Sequence, residues 1–160
     1  MKYARKRAAV AIIGVAVCGT AAATAIASPP FQFFSTNLVS EAELTERVHL
    51  NSDRVKFQTK GPVDVRVQEV TVAPGGRSGW HHHPGMVIVA VQTGAVTVVH
   101  ADCNGTTYGV GSPNGSVFVE SGDEPGEVRN ATDQPAKLYA TFIAPDADPG
   151  VFRIEDGPIC

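Results

Sequence analysis

Two histidines separated by one residue are the clearest candidates for chemistry in this 160-residue sequence. They are His81 and His83, in the run Trp80-His81-His82-His83. If this run is a β-strand, alternation places both imidazoles on one face and His82 on the other. Neutral imidazole is the commonest metal ligand in proteins, although two imidazoles alone form a weak site. The spacing therefore predicts a polar site at His81 and His83, with or without a metal.

Two apolar side chains near these histidines are candidate contacts for a small molecule. Trp80 could stack on a flat ligand at the rim of a pocket, and Met86 is a common pocket or core filler. Packing against the protein interior is the alternative for both residues. The sequence contains no G-x-S-x-G, P-loop, H-E-x-x-H, EF-hand or C-x-x-C pattern, so the better-known hydrolase, nucleotide, zinc-protease and calcium motifs are excluded.

The first 27 residues have the layout of a secretory signal peptide. Residues 1–7 carry four basic side chains, residues 8–27 are small and apolar, and residues 25–27 match a signal-peptidase site. Cleavage predicts a secreted or otherwise extracytoplasmic protein. The alternative is an uncleaved segment that anchors the chain in a membrane.

Loss of this segment leaves an acidic chain. It removes four of the 13 basic residues and none of the 16 acidic residues, which gives a net charge of −7. Without a basic cluster, we expect no nucleic-acid partner, and a membrane partner only if the first segment stays uncleaved. Cys103 and Cys160 then remain, and an even pair outside the cytosol predicts one disulfide, with two free thiols as the alternative.

Short strands must hold these residues in place. Apolar and polar residues alternate over residues 63–73 and 136–144, and the 16 glycines and 11 prolines separate many such runs. No long stretch has a helical period, and residues 41–47 form the one predicted helical turn. Residues 86–91 are almost purely apolar and predict a strand buried on both faces. The chain is therefore predicted to be all-β, as a sandwich or barrel.

Residues 75–94 resemble the first sequence motif of the cupin superfamily, G-x5-H-x-H-x3-E-x6-G. Gly75, His81, His83 and Gly94 match it, whereas Val87 occupies the glutamate position.

Residues 115–130 look like the second cupin motif, with one extra residue before its final asparagine. Gly115, Gly122 and Asn130 are its anchors, and Gly126 occupies the histidine position.

The resemblance implies a cupin-type β-barrel, also called a double-stranded β-helix or jelly roll, over residues 51–160. Residues 28–50 would precede it as an extended arm. In metal-bearing cupins the two histidines, the glutamate and a third histidine hold a divalent metal such as Fe, Mn, Ni or Zn. Here the extra residue could turn Glu127 inward, which gives His81, His83 and Glu127 as the expected ligand set. Glu120 and His100 are lesser substitutes.

Three functions are consistent with a small exported bacterial cupin protein. The first is binding of a small molecule in a barrel pocket lined by His81 and His83. The second is a metal-dependent cupin dioxygenase or isomerase. The third is a non-catalytic structural module that forms a homodimer through strand edges and residues 31–34.

Overall fold

Twelve strands follow one another along the described chain, residues 32–145 and 150–160 of a computed structural model, and these residues contain no helix. The predicted signal segment, residues 1–27, lies outside them. In the described part of the chain, no helix has the length and hydropathy to cross a bilayer. The strands are β1 (Gln32–Leu44), β2 (His49–Asn51), β3 (Lys56–Gln58), β4 (Val63–Arg77), β5 (His81–His82), β6 (Met86–Thr93), β7 (Ala95–His100), β8 (Gly105–Gly109), β9 (Val117–Glu120), β10 (Gly126–Arg129), β11 (Ala136–Pro145) and β12 (Ile154–Glu155).

Ten of these strands form one curved sheet whose pairings are antiparallel. Its main path runs β12-β5-β10-β4-β11-β6-β9, β1 adds to β4, and β7 pairs with both β10 and β8. The remaining two strands, β2 and β3, form a separate hairpin. The prediction of an all-β barrel is confirmed.

The apolar core lies on the inner face of this sheet. In β11 every second residue is buried, because successive side chains of a strand point to opposite faces. In β6, Val87, Val89 and Val91 are buried, whereas Ile88 and Ala90 are exposed. The prediction that this strand is buried on both faces is therefore wrong, since the outer face of β6 is directed toward solvent.

The predicted helical turn over residues 41–47 is also wrong. Residues 41–44 continue β1, which runs antiparallel to β4 with Leu44 opposite Val63. The Arg66 guanidinium on β4 lies 2.8 Å from the Glu41 carboxylate on β1. Pairing with a long neighbouring strand thus outweighs the local capping signal.

The predicted disulfide between Cys103 and Cys160 is confirmed. Cys103 lies in the turn between β7 and β8, and Cys160 is the last residue of the chain. The bond holds residues 150–160, which we call the C-terminal strap, against the barrel. Within the strap, β12 pairs with β5, so the strap lies beside the histidine segment.

Candidate metal centre

The two histidines lie side by side at one end of the barrel interior. His81 is on β5 and His83 immediately follows that strand. Their side chains are buried, and their rings meet edge to face with centroids 4.8 Å apart. Alternation along β5 places both on the inner face, as the spacing predicted.

Backbone carbonyls fix the orientation of both rings. His81 Nδ1 lies 2.8 Å from the Gly79 carbonyl oxygen, and His83 Nδ1 lies 2.5 Å from the Phe152 carbonyl oxygen. A carbonyl oxygen can only accept, so each Nδ1 must carry the proton and donate it. Each neutral ring then has its lone pair on Nε2, which is the tautomer that binds a metal.

A carboxylate approaches His83 from the neighbouring strand β9. Glu120 ends β9, and one Glu120 Oε atom lies 3.3 Å from His83 Nε2. This distance is within ion-pair range, and His83 Nε2 is buried without a hydrogen-bond partner. One ligand atom from each of His81, His83 and Glu120 lies within 4.8 Å of the other two.

His83 Nε2 and the Glu120 carboxylate face each other in an arrangement that a cation between them would stabilise. A neutral imidazole Nε2 and an ionised carboxylate are both acceptors, so neither satisfies the other. A buried polar atom without a partner costs about 1–3 kcal/mol. A divalent metal ion between the three atoms would remove that cost, and nitrogen and oxygen donors suit such an ion. The residues present therefore fit a metal.

The surroundings of His81 and Glu120 favour the protonation states in which these side chains can bind a metal. Burial, together with the positive charge of Arg153, lowers the pKa of His81 from its ordinary 6.5 to about 4. Burial by itself raises the pKa of Glu120, but the adjacent imidazoles and the Arg153 guanidinium outweigh burial and hold that pKa below its ordinary value. At neutral pH, His81 is thus neutral and Glu120 ionised, as metal ligands must be.

A cavity of about 250 Å³ opens beside the cluster. His81, His83 and Glu120 form part of its wall, and Arg66 and Arg153 also line it. The rest is largely apolar and includes Val70, Val89, Phe118, Leu138, Phe142 and Phe152. A smaller space of about 30 Å³ lies against the same three residues and is also lined by His100 and Gly126.

Glu127, the predicted third ligand, does not join the cluster. It lies on β10 one residue after Gly126, and Gly126 is the residue paired with His81. Alternation turns Glu127 to the opposite face, where its buried carboxylate pairs with Arg129. Glu120 therefore replaces Glu127 in the candidate ligand set.

The other candidate residues lie around the site rather than in it. Trp80 is buried and Met86 is partly buried, and neither lines the 250 Å³ cavity. His82 faces away from the two ligands, and its Nδ1 lies 2.8 Å from a carboxylate oxygen of Asp156. His100 is 42% exposed and lies 4.0 Å from Glu124.

Glu120 was expected only as a lesser substitute, although one signal in the sequence favours it. Val117-Phe118-Val119-Glu120 is a short strand whose second and fourth residues share a face, and Phe118 is buried in the core. Glu120 is directly opposite Val87, the residue in the glutamate position of the first motif. Opposite residues on antiparallel strands point to the same face, so β9 supplies the carboxylate that β6 lacks.

Comparisons with known proteins agree with this architecture. A family model described as Cupin domain matches residues 68–142. The polyketide cyclase RemF from Streptomyces resistomycificus is 15% identical, with 82% of this chain and 78% of that chain covered and a TM-score of 0.51. No curated protein sequence matches the chain.

Two further solved structures are similar at lower scores. A double-stranded β-helix protein from Klebsiella pneumoniae is 14% identical, with 71% of this chain and 81% of that chain covered and a TM-score of 0.48. An oxalate oxidase is 20% identical over 56% of this chain, with a TM-score of 0.45. The chain spans 45% of the length of that oxalate oxidase and of a matched DMSP lyase chain. At these identities the likeness concerns the fold alone.

Proposed function

The chain belongs to the cupin superfamily, and on that premise we propose that it binds a divalent transition metal through His81, His83 and Glu120. A small, largely apolar molecule occupies the adjoining cavity and binds next to the metal. The observation that best supports this metal site is the buried His83 Nε2, which has no hydrogen-bond partner and faces a carboxylate oxygen at 3.3 Å. Two acceptors in this arrangement are satisfied by one shared cation.

The number and kind of ligands favour a reactive centre over a structural one. Structural zinc sites are closed by four protein ligands, whereas catalytic sites keep positions open beside three. Two histidines and one carboxylate with open positions are typical of non-haem Fe(II) enzymes. Fe is therefore the first metal to test, with Mn, Ni and Zn next. When bound, such an ion supplies Lewis acidity and a site for a substrate oxygen.

The protein's own residues would orient the ligands and exclude water. The Gly79 and Phe152 carbonyls hold the two imidazoles, which raises their basicity and fixes their tautomers. The apolar wall, including Val89, Phe118 and Phe142, favours a ligand with a hydrocarbon body. A cavity of about 250 Å³ suits a compact molecule rather than a polymer.

Metal analysis after reconstitution tests this proposal. Purified protein incubated with Fe(II) under anaerobic conditions, and in parallel with Mn(II), should retain close to one metal per chain after desalting. The His81→Ala/His83→Ala double variant should retain almost none. His49→Ala is the matched control, because His49 is exposed on β2 and should leave metal content unchanged. Wild-type protein that holds no metal under these conditions would refute the metal centre.

Metal-free binding of a small molecule is a second candidate function, and the apolar cavity favours it independently of the cluster. In that case a proton on His83 or Glu120 takes the place of the metal between the two groups. A panel of small aromatic and aliphatic carboxylates, screened by thermal shift on chelator-treated protein, separates the two functions. Equal stabilisation before and after metal removal would support metal-free binding.

We also propose that the protein works outside the cytosol. The Cys103–Cys160 disulfide supports this, because such bonds persist in oxidising compartments. Export with cleavage after residue 27 would give a mature chain that begins at Ser28, and mass spectrometry of the secreted protein checks this. Homodimer formation remains a prediction, and light scattering of a chain without residues 28–35 tests it.

A further inference from the structure

The C-terminal strap, residues 150–160, makes its one strand pairing with the histidine segment. In the described sheet, β12 pairs with β5, with Ile154 opposite His82 and Glu155 opposite His81. A two-residue strand at the end of a sheet contributes little stability by itself. The strap is therefore a locally attached element that lies directly beside the candidate ligands.

One atom of the strap orients a ligand. The Phe152 carbonyl oxygen accepts the Nδ1 proton of His83 at 2.5 Å, whereas the corresponding acceptor for His81 is Gly79, which belongs to the histidine segment itself. The Phe152 ring is buried and packs edge to face on Phe142. The His83 ring thus takes its carbonyl acceptor from the strap, whereas the His81 ring takes its own from the histidine segment.

Further contacts bind the strap to residues that flank the ligands. An Arg153 guanidinium nitrogen donates to the Ser78 carbonyl oxygen at 2.6 Å. The Asp156 backbone N–H donates to the Trp80 carbonyl oxygen at 2.9 Å, and the Asp156 carboxylate lies 2.8 Å from His82 Nδ1. Phe152 and Arg153 also form part of the cavity wall.

The disulfide holds the far end of this strap. Residues 157–160 are exposed, and Cys160 is bonded to Cys103 in the β7–β8 turn. The bond closes a loop with a sequence separation of 57 residues. Closing such a loop restricts the conformations open to the strap, and breaking the bond restores them.

We propose that the strap is a positioning element of the metal centre and that the Cys103–Cys160 disulfide controls it. In the oxidised protein the strap holds His83 with Nε2 directed at the metal position. Reduction releases the strap, His83 loses its acceptor, and metal affinity falls. This inference depends on the proposed metal centre, and it implies that the centre reaches full affinity only after the disulfide has formed.

The redox step is an ordinary thiol–disulfide exchange. A dithiol such as dithiothreitol supplies two electrons and two protons, the S–S bond breaks, and Cys103 and Cys160 become thiols while the reagent closes to its own cyclic disulfide. Metal binding itself involves no electron transfer in this step.

The test measures Mn(II) affinity by electron paramagnetic resonance. Mn(II) is chosen because it prefers oxygen and nitrogen donors, so free thiols compete little for it. The oxidised wild type is compared with the Cys103→Ser/Cys160→Ser variant, both expressed without residues 1–27, so that the variant has no thiol. We expect the variant to bind Mn(II) about tenfold more weakly, because loss of a group that orients a ligating histidine typically costs 10–100-fold. Equal affinity in a folded variant would overturn the proposal.

Nitrogen-15 NMR of the imidazoles separates positioning from general loosening. In the variant, the His83 Nδ1–H signal should lose its hydrogen-bonded shift, whereas the His81 signal should keep its own. Equal perturbation of both rings, or of neither, would contradict a positioning role. This readout needs no metal. Absence of Mn(II) binding in the oxidised wild type would therefore refute the proposed function, while the His83 signal still decides the role of the strap.

A second variant tests the proposal even if the protein does not fold without the disulfide. Asp156→Asn keeps the disulfide and weakens the strap contact with His82. We expect a smaller decrease in Mn(II) affinity, about threefold, with the same selective change at His83. Asp53→Asn is the matched control, because Asp53 is fully exposed between β2 and β3. Indistinguishable affinities for the two variants would count against the strap.

Discussion

The two sides of the histidine pair differ in how they depart from the cupin motifs. On one side, β6 carries Val87 in the glutamate position, and β9 supplies Glu120 from directly across the strand pair. On the other side, β10 carries Gly126 in the histidine position, directly opposite His81, and no neighbouring strand supplies an imidazole to the cluster in the described chain.

This difference indicates that a metal centre requires a donor atom at a given location in space, whichever sequence position supplies it. Opposite residues on antiparallel strands have Cβ atoms about 5 Å apart and share a face, so a carboxylate can move across the pair and still reach the same metal. Gly126 also pairs with the partly exposed His100, whose Nδ1 lies 4.0 Å from a Glu124 carboxylate oxygen. The carboxylate is thus replaced and the third histidine is not, so a metal held by this cluster would have three protein ligands and open positions.

The largest expected effect on metal binding comes from removing the Glu120 carboxylate, which replaces the motif glutamate. Glu120→Gln should weaken Fe(II) or Mn(II) binding by about 100-fold or more, because it removes the one anionic ligand. The fold should not suffer, since the new amide can donate to His83 Nε2. Metal titration together with urea unfolding checks both halves of this prediction.

A positional exchange sharpens the same point. Val87→Glu combined with Glu120→Val moves the carboxylate to the motif position, and we expect metal affinity within about tenfold of the wild type, because the two residues face each other across the pair. If the exchange fails to restore binding while Glu120→Gln abolishes it, a carboxylate at residue 87 cannot replace the one at residue 120.

The next effect concerns Asn130, which follows β10 and has kept its motif position. Its buried side chain donates to the Val72 and Gln134 carbonyl oxygens and accepts from Thr132. Asn130→Ala should lower the free energy of unfolding by about 2 kcal/mol, because buried backbone groups lose their partners. Metal affinity of the folded protein should be unchanged. Asn114→Ala, at an exposed position, should cost clearly less in the same urea titration.

A smaller effect is the pH dependence of the metal-free protein. The folded state lowers the pKa of His81 from 6.5 to about 4, so the unfolded state binds more protons between these values. Stability is therefore fully present above pH 6.5 and decreases as pH falls toward 4. Between pH 7 and pH 5 we expect a loss of about 1–2 kcal/mol. Urea unfolding of chelator-treated protein should show this slope, and His81→Gln should reduce it.

The smallest expected effect comes from placing a histidine at Gly126, the motif histidine position. A Cβ at Gly126 would meet only the Val99 carbonyl oxygen, at an ordinary 3.6 Å, so the first atom of a side chain fits there. Gly126→His should therefore strengthen metal binding by about tenfold, as a fourth protein ligand beside His81. Gly126→Ala is the control for the backbone change. Unchanged affinity in the histidine variant would mean that β10 does not face the metal.

Much of the fold could be predicted from local patterns. Alternation in β11, the glycine- and proline-rich turns and the cysteine count predict the strands, an all-β fold and the disulfide, whereas the choice of a barrel over a sandwich came from the resemblance to the cupin motifs. The errors arose where pairing decides the outcome. Residues 41–44 resemble a capped helical turn, yet they extend β1 because β4 offers them a partner. Residues 86–91 look buried on both faces because Ile88 and Ala90 are apolar, although both are exposed.

The candidate site could be predicted only in part, for the same reason. His81 and His83 lie on one strand segment, so their common direction follows from the sequence alone. The third ligand comes from a distant segment, and its choice depends on register. A one-residue difference in register separates a strand that presents Gly126 from one that presents Glu127.

Consecutive residues were enough to define the alternation of the strands, the shared direction of the two imidazoles and the one pair of cysteines that lies outside the predicted signal segment. Tertiary structure decided which carboxylate meets the histidines and which carbonyl orients His83. Local alternation is a property of consecutive residues, whereas Glu120 opposite Val87 and Phe152 beside His83 are contacts between remote segments. Such contacts exist only after every strand has chosen its partner and its register.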